Sequence, residues 1–86
     1  MKSKHPPIVL VKWVDSNGGD GWEDWDDMED SKEPFVCYSV GWIRHSNKEN
    51  LTLVSNIAID DNKLSQANGV MSIPTSAILE IKTLKK

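Results

Sequence analysis

The chain has 86 residues, 38% of them hydrophobic and 27% charged, with a net charge of −3 at pH 7. A chain of that size forms one domain, spanning 1–86, and buries only about 60 to 65% of the surface it exposes when unfolded, which leaves little room for an internal catalytic cleft. No apolar run reaches the length of a membrane span, one arginine (Arg44) is too few for general nucleic-acid binding through phosphates, and a single cysteine (Cys37) permits no internal disulfide.

The basic start Met1 to Pro7 reads as a flexible tail ended by Pro6-Pro7, and no signal peptide is expected, because the apolar run after it is interrupted at Lys12 and no small-residue cleavage pattern follows. Ile8 to Val14 is β-branched and aromatic and predicts a first strand. A turn cluster, Asp15 to Gly21, leads into an acidic stretch. Between Asp15 and Glu33 nine carboxylates face one lysine, Lys32, so this segment carries −8 while its flanks carry +3 and +2. Trp22, Trp25 and Met28 recur at helical spacing there, but no second apolar turn follows, so a long loop with at most one helical turn is expected over 15–33. Phe35 to His45 alternates Val36, Tyr38, Val40 and Trp42 against Cys37, Ser39, Gly41 and Ile43, which predicts a strand with one buried face. Leu51 to Ile59 pairs with it as a hairpin across Ser46 to Glu49. Asp60 to Gly69 reads as a polar loop, Val70 to Ile73 as a brief strand stopped by Pro74, Thr75 to Ala77 as a helical turn, and Ile78 to Leu84 as the last strand. Val11, Leu53, Ile57 and Ile81 are the expected core.

Five strands with little helix predict an all-β fold, either a small barrel or a strongly curved antiparallel sheet with a long acidic loop after the first strand. The order, with Gly69 to Ile78 giving strand, proline, helical turn and strand, resembles a Src-homology-3-like barrel, although the single Tyr38 cannot build the aromatic groove of its peptide-binding members. A second resemblance is carried by Val11-Lys12-Trp13-Val14-Asp15, Gly21-Trp22, Ser39-Val40-Gly41-Trp42 and Ile73-Pro74-Thr75-Ser76-Ala77-Ile78. Together and in that order they are similar to a group of small, largely uncharacterised proteins encoded by bacteriophages and prophages. The resemblance implies a viral origin, so the cytosol expected from the lone Cys37 and the missing signal pattern would be that of a host cell. It implies no activity.

Candidate chemistry is sparse. Asp15-Ser16-Asn17-Gly18-Gly19-Asp20 opens like a calcium loop, but Gly19 stands where the third ligand belongs and Asp20 where the glycine belongs. His5, Cys37 and His45 are too scattered for zinc, and Cys37 and His45 lie about 26 Å apart along one extended strand at ~3.3 Å per residue, too far to act as nucleophile and base. Carboxylates in a solvated loop have no desolvation to split their pKa values into an acid and a base. No enzyme, metal or cofactor is expected.

Binding is the alternative. Trp22 and Trp25, set among Asp24, Asp26 and Asp27, offer either a ring that pins the loop to the sheet or an interface anchor. Arg44, His45 and Lys48 form a basic patch near the central hairpin that suits phosphate if copies assemble around a cavity. Three functions follow as expectations. The first is a phage-encoded inhibitor of host defence that sequesters a defence protein or its small anionic nucleotide signal as a homo-oligomer. The second is an acidic module or DNA mimic that meets a basic host protein through 15–33. The third is a virion or morphogenesis component.

Overall fold

A computed structural model describes residues 5–16, 22–28 and 34–84. Its strands are β1 (Ile8–Asp15), β2 (Phe35–Ser46), β3 (Asn50–Asp60), β4 (Lys63–Pro74) and β5 (Ile78–Thr83), with short 3-10 turns at Trp25–Asp27 and Thr75–Ala77. All pairings are antiparallel and form one sheet in the order β4-β3-β2-β1-β5. The described residues contain no α-helix. The expected barrel does not close, because β4 and β5 lie at opposite edges and do not pair.

A single sheet has no second layer to cover a core, so it buries side chains by curling. The buried cluster is Val9 and Val11 of β1, Leu51 and Leu53 of β3 and Ile73 of β4, with Trp13, Ile43 and Ile78 packed against it. These residues lie on one face, and β1 and β3 are not neighbours. What lets them meet is the small side of β2. Cys37, Ser39 and Gly41 stand opposite Trp13, Val11 and Val9, and the register shifts between Ile43 and His45, a bulge that bends the strand. The curl shows in a chain of side-chain contacts across three strands. The Trp13 indole N–H donates to Ser39 Oγ at 3.0 Å, and that hydroxyl reaches the Met71 sulfur on β4 at 3.7 Å.

Apolar alternation on β2 therefore misleads. Its more apolar side, Val36, Tyr38 and Val40, faces outward on the convex surface and is exposed, while the smaller side lines the concave core. Of the four expected core residues, Val11 and Leu53 are buried, Ile57 is half-buried and Ile81 is 48% exposed. Ile81 pairs with Val11 from the β5 edge, and no further strand among the described residues flanks that edge to cover it. Ile57 lies past the end of the β2 pairing at Trp42↔Val54, where only β4 accompanies β3.

The largest departure from expectation is β4. Residues 63–69, expected in a polar loop, continue the strand, and the hairpin turns on Asp61 and Asn62 alone. Both have positive φ, 53° and 63°, and they join the facing pair Asp60 and Lys63. A two-residue turn with φ positive at both positions matches the right-handed twist of the flanking strands, and Asp and Asn tolerate it better than other residues with side chains. The β3–β4 ladder then continues past Val54 as a two-stranded arm, with one register shift between Ala58 and Ile59 where Ser65 is skipped.

The β2–β3 turn is closed by Asn47. Its side-chain oxygen accepts the Glu49 N–H at 2.8 Å and the Asn50 N–H at 2.7 Å, and its own N–H donates to the Asn50 carbonyl at 3.0 Å. Asn47→Ala removes the side-chain acceptor from two backbone donors at an exposed turn, so a loss of about 1 kcal/mol is expected. Urea unfolding of the variant checks this, and an unchanged midpoint would show that water replaces the amide at no cost.

Candidate functional site

The residues singled out in the sequence fall into two separate places. Trp22 and Trp25 stand in the acidic segment, where Trp25–Asp27 forms a 3-10 turn closed by the Asp27 N–H on the Asp24 carbonyl at 3.0 Å. Neither indole pins the segment to the sheet. Trp22 is 104% and Trp25 85% exposed, and Asp24, Asp26 and Asp27 are exposed with them. Most of the calcium-like stretch Asp15 to Asp20, and the rest of the acidic run from Glu29 to Glu33, lie outside the described residues.

The basic residues separate from one another. Arg44 sits at the β2 bulge, which skips it in the pairing between Ile43↔Leu53 and His45↔Thr52. A bulge re-aims the side chain it carries. Arg44 here lines a groove of about 430 Å³ between β2 and the β3–β4 arm, together with Pro6, Ile43, Val54, Ile57 and Leu64. Ser65, Gln66 and Ala67 complete its wall. His45 and Lys48 are not among the lining residues. His45 lies within 3.1 Å of the Asn47 side-chain amide, and Lys48 sits at the exposed turn. The N-terminal side of the groove is fixed by the Ile43 N–H, which donates to the Pro7 carbonyl at 2.9 Å. Pro6 is thus held beside the strand, whereas the sequence predicts a flexible tail through Pro7.

The groove combines what a small anionic ligand needs. Its volume falls within the usual range for small-molecule sites, its walls are mostly aliphatic, and a guanidinium supplies planar, permanently charged donors for a phosphate. A second hollow of similar size, bounded by Ser39, Leu53, Ser55, Gly69 and Met71, has no charged group and offers an anion nothing to pair with. Sequence reasoning found Arg44 but missed Ile57, Leu64 and Gln66 as its companions, because Leu64 and Gln66 were assigned to a loop. The one signal was the Asp61-Asn62 pair, since 63–69 does not alternate and its apolar residues, Leu64 and Ala67, stand three apart.

Two further surfaces are open. Val36, Tyr38, Val40 and Val70 are exposed on the convex face, Tyr38 by 64% and Val70 by 68%. Beside Tyr38, a shallow hollow is lined by Leu10, Lys12, Glu80 and Lys82. Cys37, half-buried, lies on the concave side and points its sulfur toward the Phe35 carbonyl at 4.0 Å. No protein family, curated protein or solved structure matches the chain.

Proposed function

We propose that the chain is a non-catalytic binding protein of bacteriophage origin that acts in the host cytoplasm by sequestration, as an oligomer, and that its ligand is a small anionic nucleotide signal of host defence. The observation that carries the ligand class is Arg44 on an apolar groove of about 430 Å³. In that groove the guanidinium pairs with phosphate oxygens, Ile43, Val54, Ile57 and Leu64 cover the flat faces of a base, and Ser65 and Gln66 hydrogen-bond its edge. Viral origin rests on the four sequence segments that resemble phage and prophage proteins. The strand order β4-β3-β2-β1-β5 with a helical turn before β5 supports a Src-homology-3-like connectivity, here opened into a curved sheet.

The test is a native mass spectrum of the protein purified from cells, followed by titration with the nucleotide recovered from it. Arg44→Ala should lower affinity about ten- to a hundredfold, the loss expected when a charge-assisted hydrogen bond worth roughly 1.5 to 3 kcal/mol is removed. Replacing Asp24, Asp26 and Asp27 together by Asn should leave it unchanged. A second reading has its own support in the two fully presented indoles: the acidic segment as an anchor for a basic host protein. That reading inverts the result, since neutralising the aspartates then weakens binding and flattens its salt dependence while Arg44→Ala does little.

A further inference from the structure

We propose that the outer edge of β4 is the interface between two copies of this chain, paired antiparallel about a two-fold axis so that the two curved sheets become one continuous sheet. This deepens the oligomeric part of the reading above by naming the seam, and it depends on the strand edge and not on Arg44 or any ligand.

Three observations converge on that edge. First, β4 ends the sheet, and among the described residues no strand takes up its outward backbone groups. Natural edge strands are kept short, or guarded by charge or proline, because an open edge invites another strand. β4 is 12 residues long, from Leu64 to Ile73 it contains no charged residue and no proline, and its one register shift, at Ser65, lies close to the turn and leaves Gln66 to Ile73 in a single register. The opposite edge, β5, has 6 residues and carries Glu80 and Lys82. The unguarded edge is thus the long one.

Second, the arm formed by β3 and β4 lacks support. Pairing with β2 ends at Trp42↔Val54, but the β3–β4 ladder continues through Asn56↔Asn68 and Ile57↔Ala67 to Asp60↔Lys63. A two-stranded ribbon is marginal in water without a further strand or a packed face. Antiparallel addition of a second β4 lays each arm along the body of the other copy. Both ribbons gain strands at once.

Third, the charges favour one arrangement. At the tip of the arm, Asp60, Asp61 and Lys63 sum to −1, while at its base the turn residues Lys48 and Glu49 cancel, with Lys48 exposed. The base lies beside the far end of β4, because the Thr75 N–H donates to the Glu49 carbonyl at 2.8 Å. An antiparallel pair sets the tip of each copy against the base of the other, whereas a parallel pair sets like charges together. A two-fold axis satisfies both ends with one surface, which is what a second copy provides and an unrelated strand does not. Directly opposite residues share a face in such a pair, so Gln66, Asn68 and Val70 of the two copies meet on the convex side.

Sedimentation velocity of the ligand-free full chain over a range of concentrations, with amide hydrogen exchange at both extremes, tests the seam. A dimer is expected, with exchange across Leu64 to Ile73 slowing as it forms. Gln66→Lys combined with Asn68→Lys places like charges across the seam and should raise the dissociation constant at least tenfold with the circular dichroism spectrum unchanged. Lys48→Glu, at an exposed turn away from the ladder, should weaken the dimer severalfold at low salt and independently of any effect of the double variant on folding. A protein that sediments as a monomer at every concentration overturns the proposal, whether or not the groove binds an anion. So does a dimer whose β4 amides exchange as fast as those of the monomer.

Discussion

Gly41→Val should abolish the cooperative thermal transition of the protein or bring it close to room temperature. A Cβ built at Gly41 stands 2.8 Å from the Val54 carbonyl oxygen and 3.2 Å from the Leu53 Cβ. The first of these is backbone, which cannot swing aside as a long side chain does. Gly41 faces Val9 across the β1–β2 ladder, at the place where the sheet must curl for Val9 and Val11 to reach Leu53. Overpacking a well-filled site costs about 1 to 3 kcal/mol and more where backbone has to move, out of a total that for small domains starts near 5 kcal/mol. Valine therefore pushes the sheet flatter and uncovers the core it wraps. Thermal unfolding followed by circular dichroism reads the effect, and a melting temperature within a few degrees of the parent would show that the curl does not hinge on this residue.

Leu53→Ala should be nearly as severe. Leu53 is 3% exposed at the centre of the buried cluster, and truncating such a leucine costs about 2 to 5 kcal/mol through lost burial and the cavity left behind. At about 4 °C or more per kcal/mol for a domain of this size, the midpoint falls by at least about 8 °C. The same truncation at Ile81, half of whose surface already meets solvent, should cost well under half as much. Equal losses at the two positions would mean that β5 is covered in solution by something other than this sheet.

Strand content was legible in the sequence because β-branched and aromatic runs are separated by turn residues with known backbone preferences. Ile8, Phe35 and Ile78 each open a strand where the pattern places one, and Thr75 to Ala77 make their turn after Pro74. What resisted reading was whatever depends on how the sheet bends. Val36, Tyr38 and Val40 have the composition of a buried face, yet Gly41 and the bulge before His45 turn the smaller face inward. Alternation reports that two faces differ and does not say which one the curl encloses. Residues 63–69 were hidden for another reason. Asp61 and Asn62 make a tight turn without the glycine that usually announces one, so polar residues on both sides look like loop. The site suffered the same fate, since Arg44 stands out as the sole arginine but its groove is walled by the arm that the loop assignment removed.

The sheet order also dictates a sequence of events during folding. β2, β3 and β4 are joined by short turns and pair with their chain neighbours, so they form by local closures at small entropic cost. β1 is made first yet lies between β2 and β5, and its ladder with β5 joins Val9 to Thr83 across most of the chain. On a ribosome the outer side of β1 stays open until Ile78–Thr83 has been synthesised. That long closure should limit the folding rate, and until it happens β1 gives the nascent chain a second open strand, a place where a chaperone can take hold.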